Sequence, residues 1–333
     1  MSEGIRTVAT ADQIKALLQS HVIGDDDRFY SIALQVAATE ARQGHANLAR
    51  ELRDMVDEAR QKARVTLPLT PTPVTQPRGD LAGLLTAQYP HRRLDDLVVS
   101  PAVGARLTRL LREQRSQERL RAAGLRPRNR LLLVGPPGSG KTLTASVIAG
   151  ELKIPLFTIQ FDGLITKYVG ETAAKLRLVF DAMHRTRGVY LFDEFDAIGG
   201  DRGMPNDVGE MRRVLNSFLQ FLEQEASMSV VVAATNHASL LDRALFRRFD
   251  DVIEYGLPTG DLIEQALRAR LVAFDAEWVR WGEVRGAAEG MSHAEIAAAC
   301  DDVVKLAVLD EQTTISTDAL VAALRERAAS RGV

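Results

Sequence analysis

The sequence predicts an α/β fold with a mainly parallel sheet, between a helical region before it and a helical region after it. Three observations predict this fold. Between residues 89 and 258, four near-continuous apolar segments alternate with amphipathic helices: "RLLLVG", "PLFTIQ", "VYLFDE" and "SVVVAATN". This pattern is typical of a sheet that is covered on both faces. The preceding residues place apolar side chains at helical spacing, and the following residues are Ala-rich without strand patterns.

The composition excludes several classes of protein. The 333 residues are 46% hydrophobic and 26% charged, with a net charge of −2, which suits a chain with large cores. No apolar run approaches the ~18 residues that span a bilayer, and the N-terminus lacks the pattern of a signal peptide. We therefore expect no membrane span, a cytoplasmic location and no nucleic-acid partner. The single cysteine, Cys300, excludes an internal disulfide framework and is expected to be a buried core thiol.

The apolar pattern and the prolines divide the chain into four segments. Residues 1–65 contain three stretches of helical periodicity and are expected to form a helical bundle. Residues 66–88 begin with the proline-rich "TLPLTPTPVTQPRGD" and are expected to form a semi-rigid linker. Residues 89–258 are assigned to the α/β domain, and residues 259–333 to a small helical domain.

A glycine-rich loop, "GPPGSGKT", lies between the first apolar strand and a helix. Its glycines allow backbone N–H groups to converge on phosphate oxygens beside the positive end of the helix. Lys141 would bring a charge to the β- and γ-phosphates, and the Thr142 hydroxyl can ligate Mg²⁺. The predicted nucleotide-binding residues are Gly135, Pro136, Pro137, Gly138, Ser139, Gly140, Lys141, Thr142 and Leu143.

Polar residues also end two later strands. In "VYLFDEFD", Asp193 is expected to hold Mg²⁺ and Glu194 to polarise the water that attacks the γ-phosphate. A switch that binds nucleotide without hydrolysis would not need Glu194, so the pair favours hydrolysis. Asn236 ends the strand "VVVAATN" and is expected near the same phosphate, although an Asn at a strand end is commonly a turn former.

The order of these motifs resembles the AAA family of ring-forming ATPases over about residues 91–300. The segment "GLRPRNRLLLVGPPGSGKT" is similar to the family's entry into the phosphate loop, and "ALFRRFDDVIEYGLP" at 244–258 to its second region of homology. The compact "RRFD" is most similar to the subgroup that severs microtubules or disassembles membrane-scission complexes. The resemblance implies a P-loop ATPase domain with a C-terminal helical lid, ATP and Mg²⁺ as cofactors, and a homo-oligomer, expected to be a hexamer.

The resemblance also implies roles for individual residues. Arg247 and Arg248 would be arginine fingers that reach the γ-phosphate bound by a neighbouring subunit, and Asn236 would position the attacking water. The alternative for the arginines is surface pairing with Asp250 and Asp251. Further matches are Glu210, Arg212 and Arg213, which are expected to serve the subunit interface or a second pore loop.

The stretch "ITKYVGE" matches the family's pore loop. Lys167, Tyr168 and Val169 would face a central channel, where an aromatic side chain offers contact area without demanding a particular partner sequence. Glu171 would open the following helix. The alternative is that Tyr168 packs in the core of its own chain.

Two stretches depart from the family pattern. In "GMSHAEI", His293 stands where the subgroup has Gly, and Ala294 keeps the expected Ala, so the contact of His293 with the adenosine stays open. The stretch "LEQEASMS" at 222–229 lacks the signal that relays nucleotide state between subunits in many members.

The leading hypothesis is an ATP-driven remodeller that threads polypeptide through a pore lined by Tyr168. Its N-terminal bundle would bind the substrate or an adaptor, and a separate protease or effector is a possible partner. The alternative is a nucleotide-dependent switch that assembles or disassembles a partner complex without threading. A DNA-acting enzyme is disfavoured, because the basic stretch at 109–130 is interleaved with acids and leucines.

Overall fold

The computed structural model describes residues 79–164, 169–196, 207–238, 241, 243–272 and 274–330, with isolated positions between 33 and 77. The chain divides into two units, residues 1–72 and 73–333. In the first unit the described positions are helical, and Ala37, Ala49 and Val56 are buried. The rest of the predicted N-terminal bundle, and the predicted linker up to residue 76, lie outside the described residues.

Six strands form one sheet in the described part of the chain, in the order β1-β3-β4-β5-β2-β6. The strands are β1 (Leu85–Gln88), β2 (Arg130–Val134), β3 (Leu156–Ile159), β4 (Val189–Phe192), β5 (Val230–Thr235) and β6 (Asp251–Glu254). Strands β2 to β6 run parallel to one another, and β1 is antiparallel to its neighbour β3. The predicted α/β fold with a mainly parallel sheet is confirmed.

Helices connect the strands and follow the last of them. They are α1 (Pro101–Arg115), α2 (Gln117–Ala122), α3 (Lys141–Leu152), α4 (Phe161–Leu164), α5 (Val169–Arg185), α6 (Asp207–Gln224), α7 (Arg243–Phe246), α8 (Asp261–Arg270), α9 (Trp281–Ala287), α10 (His293–Leu309) and α11 (Thr317–Ala329). No helix in these described ranges combines the length and the apolar character that crossing a membrane requires.

The helices cover both faces of the sheet. On one face, α5 and α6 contribute Phe180 and Phe218, and the Phe218 ring meets that of Phe192 in β4 edge-on, with centroids 5.0 Å apart. On the other face, α1 and α3 pack Leu107 and Ile148 against the alternate strand residues. Because both faces are buried, the strands carry the near-continuous apolar segments seen in the sequence.

Helices α8 to α11 build a separate apolar cluster. Cys300 of α10 is buried within it, as the sequence predicted. Burial raises the pKa of the Cys300 thiol to about 11, so the thiol is protonated at neutral pH.

The prediction of a linker over residues 66–88 was wrong at its C-terminal end. Residues 85–88 form β1, which pairs with β3, and the Gln160 N–H donates to the Leu84 carbonyl at 2.9 Å. Leu84 and Leu85 are both buried. The segment "LTAQ" is too short to show an alternating pattern. It is a strand because it pairs with β3, and its own sequence does not predict one. Strand β6 was also not predicted.

Gly150 of α3 marks a close approach of the backbone at 90–92. A Cβ at Gly150 would lie 2.2 Å from the Arg92 carbonyl oxygen and 3.0 Å from that of Pro90. We expect Gly150→Ala to lower the free energy of unfolding by about 1–3 kcal/mol, since both obstacles are backbone atoms. Denaturant unfolding of the purified variant measures this.

Gly104 of α1 supplies a matched control. The nearest atom to a Cβ at Gly104 is Val99 Cγ2, at 4.0 Å. Gly104→Ala should raise the free energy of unfolding by roughly 0.5–1 kcal/mol through helix propensity alone. Equal effects of the two substitutions would contradict the close packing at Gly150.

Candidate functional site

The candidate site lies at one edge of the sheet, where three neighbouring strands end. Strand β2 leads into the loop that precedes α3, β4 ends before Asp193, and β5 ends before Asn236. Because these strands are adjacent and parallel, their carboxyl ends meet at the same edge. The fold therefore brings together three sequence motifs that are separated along the chain.

Two glycines shape the loop between β2 and α3. Gly138 and Gly140 have φ values of 73° and 99°, a region that side chains with a Cβ rarely adopt. A Cβ at Gly138 would also lie 2.8 Å from both Ala294 Cβ and Ser292 Oγ. The loop therefore needs glycine at this position both for its backbone and for the space beside α10.

The Lys141 ammonium group lies inside this loop. It donates to the carbonyl oxygens of Gly135 at 2.8 Å and Pro136 at 2.9 Å, and to Asn236 Oδ1 at 2.8 Å. Burial lowers the pKa of Lys141, while the charges of Asp193 and Asp196 act in the opposite direction. The site thus holds a buried cation at the place where the motif expects nucleotide phosphates.

Asp193, which follows β4, connects the end of that strand to α3, the helix after the glycine-rich loop. Its Oδ2 accepts a hydrogen bond from Thr142 Oγ1 at 2.6 Å, and its Oδ1 accepts from the Glu194 N–H at 3.0 Å. A hydroxyl and a carboxylate are hard oxygen ligands of the kind that Mg²⁺ takes together with substrate phosphates. The residues at this position therefore fit the predicted magnesium ligands, Thr142 and Asp193.

Glu194 has a strained backbone and an exposed side chain. Its φ of 49° lies in the left-handed region, which is uncommon for a residue with a side chain and clusters at functional sites. The residue lines the same cavity as Lys141 and Thr142. A carboxylate is thus available to solvent directly beside the predicted magnesium ligands.

Asp196 supports the end of β5. Its Oδ1 accepts hydrogen bonds from Thr235 Oγ1 at 3.0 Å and from the Asn236 N–H at 3.3 Å. These bonds fix the backbone at Asn236, whose amide oxygen then accepts from Lys141. Sequence reasoning did not assign a role to Asp196, although it follows the acidic pair by two residues.

A cavity of about 850 Å³ contains these groups. It is lined by Pro137 to Leu143, by Asp193, Glu194 and Asn236, and by residues of the helical region that include His293 and Ala294. Its volume lies in the range of ligand pockets, ~300–1,000 Å³. His293 borders the cavity at the start of α10, and burial lowers its pKa.

Helix α10 is attached to the glycine-rich loop. The Ala294 N–H donates to the Gly138 carbonyl oxygen at 3.0 Å. Ser292 caps the helix: its Oγ accepts from the Glu295 N–H at 3.3 Å, and its own N–H donates to Glu295 Oε2 at 2.7 Å. The helical region and the α/β region therefore share the wall of one site.

Several lining residues were missed from the sequence. Arg92 and the segment 95–98 line the cavity before α1, and Arg270 and Val272 line it at the end of α8. Tertiary packing brings them there, and neither segment carries a pattern that points to phosphate. Tyr255 was also missed: its hydroxyl lies 2.7 Å from Thr144 Oγ1 behind the loop, and burial raises its pKa to about 12.

The two predicted arginine fingers lie away from this cavity. Arg247 and Arg248 are exposed, and neither lines the cavity of its own chain. Arg248 pairs with Glu223 of α6.

The alternative pairing of these arginines, with Asp250 and Asp251, is not seen. Asp251 pairs with Arg106, and Asp250 Oδ2 accepts backbone N–H groups of Asn129 and Arg130 at 2.9 and 3.0 Å.

The predicted pore loop falls mostly outside the described residues. These exclude 165–168, with Lys167 and Tyr168, and the side chain of Val169. Helix α5 begins at Val169 and has Glu171 in its first turn, as predicted. The side chains of Glu210 and Arg212 also lie outside the described residues, whereas Arg213 is exposed on α6.

Comparisons with known proteins agree with this geometry. The sequence profile of the family described as "ATPase family associated with various cellular activities (AAA)" matches residues 131–257. An "Uncharacterized AAA family ATPase y4kL" of Sinorhizobium fredii is 33% identical over 97% of this chain and 97% of its own. The crystal structure of the FIGL-1 AAA domain matches with a TM-score of 0.59 and 21% identity, covering 73% of this chain and 85% of that one. This last likeness concerns the fold alone.

Two further relatives match part of their length. "ATP-dependent zinc metalloprotease FtsH 1" of Methylacidiphilum infernorum is 32% identical over 74% of this chain and 38% of its own. "Proteasome-activating nucleotidase" of Methanoregula boonei is 32% identical over 61% of this chain and 48% of its own. The chain thus spans less than half the length of these two relatives.

The fold and the site define a nucleoside-triphosphate hydrolase with a glycine-rich phosphate loop. The chain belongs to the AAA family of ATPases, as its near full-length likeness to the Sinorhizobium fredii protein shows. The closer resemblance to the severing subgroup stays a prediction.

Gly138 provides a test of the site. We expect Gly138→Ala to raise the dissociation constant for a fluorescent ATP analogue by about tenfold or more, since a Cβ meets Ala294 and Ser292 and requires an unfavourable φ. Equilibrium titration measures this constant.

Gly124 controls for backbone strain alone. Its φ of 74° is nearly the same, and nothing lies within 4 Å of a Cβ there. Gly124→Ala should cost about 1 kcal/mol of stability and leave nucleotide affinity unchanged. Unaltered affinity in Gly138→Ala would show that the loop does not need this close contact.

Proposed function

We propose that the chain hydrolyses ATP with Mg²⁺ at this sheet edge and uses the energy to remodel proteins as a ring. One observation carries the catalytic part: two hydrogen-bonded pairs line the same cavity, Lys141 with Asn236 at 2.8 Å and Thr142 with Asp193 at 2.6 Å. When bound, Mg²⁺ supplies charge that offsets the negative charge of the phosphates. Thr142 and Asp193 would hold it.

Each residue then has a separate task. Lys141 binds and orients the terminal phosphates, and Asn236 fixes Lys141 and a water molecule beside them. Glu194 takes a proton from that water, because its carboxylate is exposed in the cavity next to Asp193. The glycine-rich loop donates backbone N–H groups to phosphate oxygens.

The ring is proposed from the position of the arginines. Arg247 and Arg248 are exposed and do not line the cavity of their own chain, so they suit a site in a neighbouring subunit. A guanidinium supplied in this way stabilises the transferred phosphoryl group. Arg248 would first leave Glu223. A single chain is therefore expected to hydrolyse ATP slowly, and a closed ring of about six subunits to do so faster.

Action on polypeptides rests on the sequence of the loop and on two relatives. Residues 165–168 join α4 to α5, the place where the resemblance puts pore residues Lys167, Tyr168 and Val169. One of the two relatives matched over part of their length is named an ATP-dependent zinc metalloprotease, and the other a proteasome-activating nucleotidase. We propose that residues 1–65 select the substrate or adaptor, and that any protease is a separate partner in the cytoplasm.

Assembly is tested with Glu194→Gln, which should bind ATP and stop before hydrolysis. We expect its mass distribution to shift from small species to about six subunits on addition of Mg-ATP, as measured by mass photometry or sedimentation. Lys141→Ala is the control, since loss of the loop cation should prevent the shift. A Glu194→Gln protein that stays monomeric with ATP bound would argue against arginine fingers supplied by a neighbour.

Threading is tested at Tyr168 with casein as an unfolded probe. We expect Tyr168→Ala to abolish the stimulation of ATP hydrolysis by casein while the basal rate stays within about threefold, since an aromatic grip needs the ring. Tyr168→Phe should keep the stimulation. If Tyr168→Ala responds to casein like the wild type, the switch without threading replaces this proposal.

A further inference from the structure

A second cavity, of about 310 Å³, lies at the opposite edge of the sheet from the nucleotide site. It is bounded by α2, by the segment 124–130 and by the segment 225–228. Strands β2 and β5 begin beside it, at Arg130 and Val230, and end at the nucleotide site. The cavity is therefore distinct from the site described above and is not used by the proposed function.

The cavity carries excess positive charge. Three guanidinium groups line it, those of Arg121, Arg126 and Arg130, against the single carboxylate of Glu225. That carboxylate is fully buried: its Oε1 accepts the Ser227 N–H, and its Oε2 lies 3.6 Å from His184 Nε2 without a hydrogen-bond partner among the described residues. Within the described residues it forms no ion pair with any of the three arginines.

Neighbouring groups add to this excess. Among the described residues, the Nε atoms of Arg130, which lines the cavity, and of Arg187, which does not, are buried without a hydrogen-bond partner. Three buried oxygens of lining residues also lack a partner there: Gln114 Oε1, Gln117 Oε1 and Glu225 Oε2. Burial lowers the pKa of Arg187, and the charge of Arg121 lowers it further. Buried groups without partners and like charges close together are both unfavourable. An anion at this edge of the sheet would offset the like charges and accept from the buried donors, and water molecules would satisfy the oxygens.

Two apolar side chains complete the cavity. Leu125 and Met228 line it and are 57% and 42% exposed. Large apolar side chains that adjoin a charged hollow favour a ligand with both an apolar and an anionic part.

We propose that this cavity binds a small organic anion, namely a carboxylate or phosphate that carries a short apolar group. Guanidinium groups match either oxyanion with paired N–H donors, and the volume admits a ligand at the small end of the usual range. The arginines orient the oxyanion, and Leu125 and Met228 cover the apolar group.

The three arginines differ in what else they do. Arg130 donates to the Glu225 carbonyl at 2.9 Å and so caps the end of α6, and Arg121 donates to the Ser227 carbonyl at 3.4 Å. Arg126 has no hydrogen bond or ion pair with any described residue. A substitution of Arg126 therefore tests ligand binding without removing a structural hydrogen bond.

The experiment titrates the full chain with four probes, with saturating Mg-ADP present so that no probe enters the phosphate loop. The probes are phenylacetate, phenyl phosphate, benzyl alcohol and acetate, and ligand-detected NMR measures each dissociation constant. We expect saturable binding of phenylacetate, of phenyl phosphate or of both, which distinguishes the two oxyanions. Benzyl alcohol and acetate should bind at least about tenfold more weakly, since each lacks one half of the ligand.

The variants locate the binding. Arg126→Ala should weaken binding of the aromatic anions by about tenfold or more without loss of stability, because the side chain is exposed and has no partner in the described part of the chain. Arg119→Ala is the matched control: Arg119 is an exposed arginine of α2 that does not line the cavity, so binding should change less than about twofold.

Three results would overturn the proposal. The first is no saturable binding of either aromatic anion up to about 10 mM. The second is binding of benzyl alcohol or of acetate as tight as that of the aromatic anions, which would mean that the cavity does not require both a charged and an apolar group. The third is unchanged binding in Arg126→Ala.

Discussion

The ammonium group of Lys141 donates hydrogen bonds to two carbonyl groups of the loop that precedes it and to Asn236 at the end of β5, and the site depends on this arrangement. A buried cation is costly unless partners surround it. Here the partners come from the ends of β2 and β5, and the charges of Asp193 and Asp196 from beyond the end of β4 favour it further. Because β4, β5 and β2 are adjacent and parallel, these three strand ends meet at one place.

Gly138 belongs to the same loop as Lys141, and because it has no side chain, α10 can pack directly against it. The Gly138 carbonyl accepts the Ala294 N–H of α10, and a Cβ at Gly138 would collide with Ala294 and Ser292. The loop that receives the phosphates and the helix that borders the cavity with His293 therefore share one contact. We therefore expect any shift of the loop to be transmitted to α10, since the two are in direct contact.

The features that the sequence predicted correctly are those that a short run of consecutive residues determines. Buried strands β2 to β5 and the motif residues Lys141, Asp193 and Asn236 carry their signals in consecutive residues. Strands β1 and β6 do not, because each has four residues with one buried side chain. The part of the cavity wall formed by Arg92 and Arg270 could likewise not be predicted from the sequence, since it depends on how separate segments pack.

The two cavities lie at opposite ends of the same strands, and Arg130 connects one of them to the predicted finger. Arg130 opens β2 and donates to the Glu223 carbonyl at 3.4 Å in the last turn of α6, and the Glu223 side chain holds Arg248. The last carbonyls of a helix need such partners. An anion that drew Arg130 away from them would remove these donors from the end of α6, where Glu223 contacts Arg248. If both proposals hold, binding at the far edge of the sheet would affect how readily Arg248 leaves Glu223 for a neighbouring subunit.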